Sequence, residues 1–198
     1  MANKEYTSRQ AAENYLLITV DPSFYEQVDI WIGEIEDYID LLTGRNFKAD
    51  TVDSMKKYDG DGSSEIIIDD CISVSSIIIK STDGSIIYDD LVAGEDYFLE
   101  PANDSPKNSI RLYGYKFARG IQNIEVTAKW GYSATVPANI QFSAMVLLSN
   151  IINYSNTSEG ELQSLTAGKV SLSFKQKDKI DDYEKVEEIL DSYKKYEF

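Results

Sequence analysis

The chain of 198 residues contains no histidine. That absence removes Ser-His-Asp and Cys-His nucleophile pairs, and every His-ligated zinc or iron centre. Its single cysteine, Cys71, cannot form an internal disulfide, and in its apolar-rich surroundings it reads as a small buried hydrophobe. One free thiol fits a reducing compartment, or a protein assembled inside a cell. Basic residues are in the minority, 19 against 34 acidic ones, for a net charge of −15. A surface that grips nucleic acid through its phosphates needs clustered Lys and Arg, so none is expected; the charge suits solubility. No apolar run approaches membrane-spanning length, and MANKEYTSRQ at the start lacks the apolar core of a signal peptide. The expectation is synthesis in the cytoplasm and no membrane contact. GxGxxG, Walker, GxSxG and CxxC patterns are all missing, so neither a cofactor nor an enzymatic activity is expected.

What is present is an ordinary apolar fraction of 42%, enough for one good core or two small modules. The clearest element is residues 21–47, DPSFYEQVDIWIGEIEDYIDLLTGRNF. Phe24, Val28, Trp31, Ile35, Tyr38, Ile39 and Leu42 recur at the three-and-four spacing of one helix face. Asp21 can cap the first amides, Pro22 sits where a missing N–H costs nothing, and Gly44 can close the helix in the left-handed region. The opposite face is acidic, with Glu26, Asp29, Glu34, Glu36, Asp37 and Asp40. Upstream, Ser8 is placed to cap a short helix whose Ala11, Ala12, Tyr15 and Leu16 face inward.

After Phe47 the texture changes to short β-branched runs between Gly, Asp, Asn and Ser. Residues 65–69, 72–80, 85–90, 96–101, 109–115 and 123–132 read as strands. The last gives the cleanest alternation, with Ile124, Val126, Ala128 and Trp130 to one side. Pro137 opens a second long helix, apolar over most of its circumference. Residues 155–164 read as a polar loop, 169–175 as a strand, and the stretch from Asp181 or Asp182 as a last amphipathic helix. The whole reads as an α+β fold. Its helical core, two long helices plus a short N-terminal and a C-terminal helix, occupies 1–47 and 137–155. An all-β module of about six strands, a small barrel or sandwich, is inserted at 48–136. Residues 156–198, a loop followed by strand and helix, form a candidate docking tail.

One segment looks like metal chemistry. In DGDGSSEIIIDD, residues 59–70, Asp59, Asp61, Ser63, Glu65 and Asp70 occupy positions 1, 3, 5, 7 and 12 of an EF-hand-like loop. The turn glycine of that motif is replaced by Ser64, its bidentate Glu by Asp70, and its flanking helices by strand patterns, so a tight turn into a strand is the better reading. Fourteen tyrosines without a basic groove point to protein–protein contact rather than base stacking.

Taken in order, YLLI (15–18), DLLTGRNF (40–47), YDGDGSSEIIIDDCISVSSI (58–77), GEDYFLEPANDSP (94–106) and GIQNIEVTAKWGYSATVPANI (120–140) resemble the head–tail connector (adaptor or head-completion) proteins of tailed bacteriophages. The resemblance covers residues 8–175. It implies a structural virion protein of the neck, made in the host cytoplasm and located at the head–tail junction. Such proteins form a ring, often of twelve subunits, that binds the portal protein and the next neck or tail protein and extends the DNA channel. It also implies core helices at 21–47 and 137–154, a portal-docking tail at 169–198, a peripheral β insert, and no catalytic residues. A closed ring needs two different adhesive faces on each subunit. Trp31, Tyr38, Phe174, Tyr183 and Tyr193 are the aromatic interface candidates. An acidic lumen would let DNA pass without sticking. The alternatives are another head-closure or tail-completion protein or, in a different class, a calcium- or glycan-binding β module.

Overall fold

The computed structural model describes residues 4–155, 162–167, 170–175 and 180–195, with side chains up to 153 and from 183 onward. The chain divides into two compact units, Lys48–Thr135 and the discontinuous pair Met1–Phe47 with Val136–Phe198.

In Lys48–Thr135, six strands form one antiparallel sheet: β1 (Ser54–Gly60), β2 (Glu65–Lys80), β3 (Ile86–Tyr88), β4 (Tyr97–Glu100), β5 (Lys107–Leu112) and β6 (Gly120–Trp130). Their order is β1-β6-β2-β5-β4, with β3 also on β2. On β6 the alternation holds from Ile124 onward: Ile124, Val126, Ala128 and Trp130 are buried and Glu125, Thr127 and Lys129 are not. These side chains join Ile68, Cys71, Ile77, Ile79, Ile110 and Phe117 in one apolar cluster. Each fully buried isoleucine there is worth about 1.5–3 kcal/mol. Asn123 ties the β1–β6 end together. Its Oδ1 accepts from Gly60 N at 2.9 Å, and its Nδ2 donates to Lys80 O at 2.9 Å and Ala118 O at 2.8 Å. Only glycine fits at position 60, because a Cβ there would lie 1.9 Å from the Ala118 carbonyl oxygen.

In the other unit, α1 (Arg9–Leu16), a 3-10 turn (Pro22–Phe24) and α2 (Tyr25–Thr43) precede the sheet in sequence; α3 (Ala138–Ser155), the hairpin β7 (Leu162–Ala167) and β8 (Val170–Lys175), and α4 (Ile180–Ser192) follow it. Ser8 Oγ accepts from Ala11 N and caps α1. Asp21 Oδ1 accepts from Ser23 N at 2.8 Å, with Pro22 in the first turn position. Gly44 closes α2 at φ 68°, its N–H donating to Asp40 O at 2.8 Å. Val28, Ile32, Ile35, Tyr38 and Ile39 of α2, Ile140, Ala144, Leu147, Leu148 and Ile151 of α3, and Val186 and Leu190 of α4 are buried. Helix α3 neighbours α1, α2 and α4, which is why it is apolar nearly all round. Phe24, assigned to the α2 stripe by spacing, lies in the 3-10 turn and is 53% exposed. Among the described residues no helix is long and apolar enough to cross a membrane.

This architecture corrects the expectation of a helical core carrying an inserted β module. The antiparallel sheet dominates, and the four α-helices among the described residues are short, at 8, 19, 18 and 13 residues. Two causes can be named. The runs at 65–69 and 72–80 are a single strand of 16 residues, β2, in which the adjacent Asp70 and Cys71 are both buried where the register shifts. Such a bulge breaks the period of two and makes one strand read as two. In addition β1, polar in its SMKKYDG sequence, is held by its pairing with β6 rather than by an apolar pattern of its own. Of the loop expected at 155–164, residues 156–161 lie outside the described residues, and 162–164 belong to β7.

Candidate functional site

The end of α2 is where distant parts of the helical unit meet. From the N-terminal side, Glu36, only 2% exposed, accepts from Lys4 N at 3.0 Å and Tyr6 N at 3.2 Å. The Lys4 ammonium donates to Asp37 at 2.9 Å and Asp40 at 2.8 Å. The Tyr6 hydroxyl donates to Asp40 Oδ1 at 2.5 Å and accepts from Phe47 N at 2.7 Å. Burial raises the Asp40 and Glu36 carboxyls above their ordinary values even though these partners pull them down. Burial also pushes the Tyr6 phenol well above its usual range, with Asp40 adding to it. For Lys4 burial acts downward, but the bonds to Asp40 and Asp37 outweigh it and the ammonium titrates above its usual value. Part of the acidic face of α2 is therefore covered by the chain's own N-terminal segment.

From the C-terminal side, Arg45 Nε donates to Tyr193 O at 2.6 Å, and Lys195 N donates to Thr43 O at 2.8 Å. The Tyr193 ring meets Phe47 edge-on, with centroids 5.3 Å apart. Tyr38 is 4% exposed, and its phenol is raised by burial first and then by Glu187 and Asp191 of α4. Tyr183 is half-buried with its hydroxyl inside, and burial raises its phenol too. Trp31 is half-buried on α2. Phe174 lies on β8 opposite Gln163; its side chain is outside the described ones. The structure thus brings Tyr38 close enough to Tyr183 to add to the rise of its phenol, sets Tyr193 against Phe47, and leaves Trp31 out of both. Spacing alone did not reveal Lys4, Tyr6, Arg45 or Lys195, because each acts on a residue far away in sequence.

Of the four acidic candidate ligands in the DGDG segment, Asp59, Asp61, Glu65 and Asp70, the first three are taken up by separate partners. Asp59 Oδ1 accepts from Gln122 N at 2.6 Å, and Asp61 Oδ1 accepts from Ser63 N at 2.7 Å. Glu65 accepts from Ser109 Oγ at 2.7 Å and pairs with Arg111 at 2.9 Å. The side chain of Asp70 is buried. The flanking elements are β1 and β2. Among the described residues, no group of three or more Cys, Asp or Glu side chains is arranged to hold a metal ion.

No family model and no curated protein matches the chain. Solved structures do. A chain from the neck of an empty GTA particle, computed with C6 symmetry, superposes with a TM-score of 0.59 over 100% of this chain and 94% of its own length, at 10% identity. A chain from the neck of a native GTA particle, computed with C12 symmetry, gives a TM-score of 0.46 over 91% of this chain and 94% of its own, at 12% identity. The first of these likenesses, extending over the whole chain, is one of fold.

Proposed function

We propose that this protein is a non-enzymatic structural component of a phage-type neck, assembling as a ring at the head–tail junction. The observation that carries the reading is the fold shared, end to end, with a chain of a C6-symmetric GTA neck. The ordered motifs from YLLI to WGYSATVPANI support it independently, as does the lack of histidine. In this reading each copy contacts two neighbouring copies, the portal protein on one side and the next neck or tail protein on the other. Residues 169–198 form the portal-facing tail. Trp31, half-buried and not part of the Phe47–Tyr193 ring contact, is the α2 aromatic offered to a neighbour. DNA passes without sequence-specific binding, helped by the −15 net charge.

The test is electron microscopy of purified heads mixed with the tagged protein. Tag density at one vertex only, with rotational symmetry about the vertex axis, is expected. Tag scattered over the capsid shell, or none bound, would sink the reading. Trp31→Ala adds a finer measurement: assembly should fail while the monomer's melting temperature holds. A lowered melting temperature with assembly intact would make Trp31 part of the core.

A further inference from the structure

We propose that the loop at residues 116–122 of one copy docks on the face of α2 that carries Ile30 and Leu41 in the next copy, so that two different surfaces of the chain join successive subunits. The inference rests on the ring reading and names the contact that builds it.

Residues 26, 30, 33, 37 and 41 recur at the three-and-four spacing of one face of α2. On that face Ile30 and Leu41 are 55% and 50% exposed. Between them stands Gly33, in the middle of a helix, where glycine is the poorest choice short of proline. The fold of the single copy does not ask for it: among the described residues, a Cβ there would meet no atom within 4 Å. A bare backbone at an exposed position lets another chain come close to the helix axis. The rim of the face is negative. Glu26, Asp29 and Glu34 are exposed and form no ion pair among the described residues, and α2 contains no Lys or Arg. The Lys4 ammonium is bound to Asp37 and Asp40, one turn or more further along.

The loop supplies the complement. In a chain of net charge −15, Lys116 and Arg119 are exposed and form no ion pair among the described residues, whereas Arg111 is held by Glu65 and Lys80 by Glu125. Asp61, whose carboxyl is lowered first by its bonds to Ser63 and only last by Arg119, does not pair with it. Ile121, two residues beyond Arg119, is 85% exposed. The backbone that carries these three side chains is fixed. Phe117 is fully buried, and its N–H donates to Ser63 O at 2.9 Å. Ala118 O accepts from Asn123 Nδ2 at 2.8 Å. Gln122 is held at φ 51°, a left-handed conformation uncommon outside glycine, while its N–H donates to Asp59 Oδ1 at 2.6 Å. The Arg119 side chain lies across Gly62, where a Cβ would come within 2.9 Å of Nε. A loop ordered in advance loses little freedom on docking.

Charge chooses the occupant. An apolar tip flanked by two cations meets an apolar face flanked by carboxylates, and a second copy of this chain carries both. Opposite charges orient such an encounter, and like charges reject a wrong one. Glu26 and Glu34 stand about 12 Å apart along α2 at 1.5 Å per residue. Positions 116 and 119 span up to about 10 Å, and their long side chains cover the rest. Loop and face are both exposed in the single copy, so neither satisfies the other within it. Being different surfaces, they make a heterologous contact, which closes into a ring when the rotation allows.

The test reverses the charges under conditions where the wild type assembles, on heads or in solution. Lys116→Glu with Arg119→Glu in one chain, and Glu26→Lys with Glu34→Lys in another, should each raise the concentration for half-assembly by about tenfold or more, without lowering the melting temperature of the monomer. All four substitutions in one chain should bring it back to within about threefold of the wild type, because the charges match again. Gly33→Leu should block assembly and leave the monomer folded by circular dichroism. Independently of the charges, Ile121→Cys mixed with Ile30→Cys of a different tag size should give, on oxidation, a disulfide-linked dimer of one copy of each. A fourfold variant no better than either pair, undiminished assembly of Gly33→Leu, or a mixture without that dimer overturns the contact and leaves the neck reading standing. Solution rings that form normally from both charge-reversed pairs, with only binding to heads lost, assign these surfaces to another neck protein and overturn it as well. A wild type that assembles neither in solution nor on heads overturns the ring reading and the contact with it.

Discussion

Tyr6 and Phe47, 41 residues apart in sequence, are joined twice: the Tyr6 hydroxyl accepts a hydrogen bond from Phe47 N at 2.7 Å, and the two rings meet edge-on with centroids 5.9 Å apart. The same hydroxyl donates to Asp40, so one oxygen links the N-terminal segment, the last turn of α2 and the residue that ends this unit's first segment. Tyr6→Phe keeps the ring contact and removes both hydrogen bonds. The unfolding free energy from urea denaturation should fall by about 2 kcal/mol, since a half-buried carboxyl loses a donor and a buried amide loses its acceptor. A fall of less than about 0.5 kcal/mol would mean that the hydroxyl is replaceable by water.

Asn123 holds three backbone groups at the β1–β6 end, and no other residue type offers one acceptor and two donors in that shape. Asn123→Ala should cost about 2–3 kcal/mol. Asn123→Asp should be at least as harmful, because it keeps the acceptor for Gly60 but aims a carboxylate oxygen at the Lys80 and Ala118 carbonyls. Trp130 belongs to this unit and Trp31 to the other, so fluorescence of a Trp31→Phe background isolates the transition.

Cys71 is buried in the sheet core, and burial, with Asp70 adding, pushes its thiol up to about 11. The thiolate is the reactive species, so an aromatic disulfide reagent at neutral pH should label Cys71 only through opening of the β unit. Labelling should be slower than in denaturant by a factor on the order of 10³ or more. Rapid stoichiometric labelling of the native protein would show that the sheet opens locally at the β2 bulge.

Asp83 is fully exposed, yet it accepts from the Ser81 and Ser85 hydroxyls and from Ser85 N, which together lower its carboxyl from 3.8 to about 2. The folded value lies below the unfolded one, so the stabilisation is complete above the ordinary carboxyl range and is lost as the pH falls through the folded value. Carbon-detected NMR titration should place this carboxyl lowest among the aspartates of the β2–β3 turn and its neighbours. Ser85→Ala should move its midpoint up toward 3.8. An unchanged midpoint would remove Ser85 as a cause.

The parts of the fold that were legible in the sequence are those fixed by neighbours a few residues away. Asp21, Pro22 and Gly44 mark where the 3-10 turn and α2 begin and end, and β6 alternates as written. The illegible parts depend on distant partners. Glu36 sits on the polar face by helical period, and it is buried because Lys4 and Tyr6 fold back over it. The dominance of the sheet was hidden by a bulge that split β2 and by the polar composition of β1.

The unit that contains α1–α4 is interrupted in sequence by the whole of Lys48–Thr135. On the ribosome, the β unit can therefore finish folding while the helical unit is still waiting for its last helix. Tyr193 and Lys195, which grip Arg45 and Thr43, leave the exit tunnel only after the whole β unit has been made. Until then α2 lacks its neighbour α4. Synthesis of α4, rather than of the first helix, thus sets the earliest moment at which the helical unit can close.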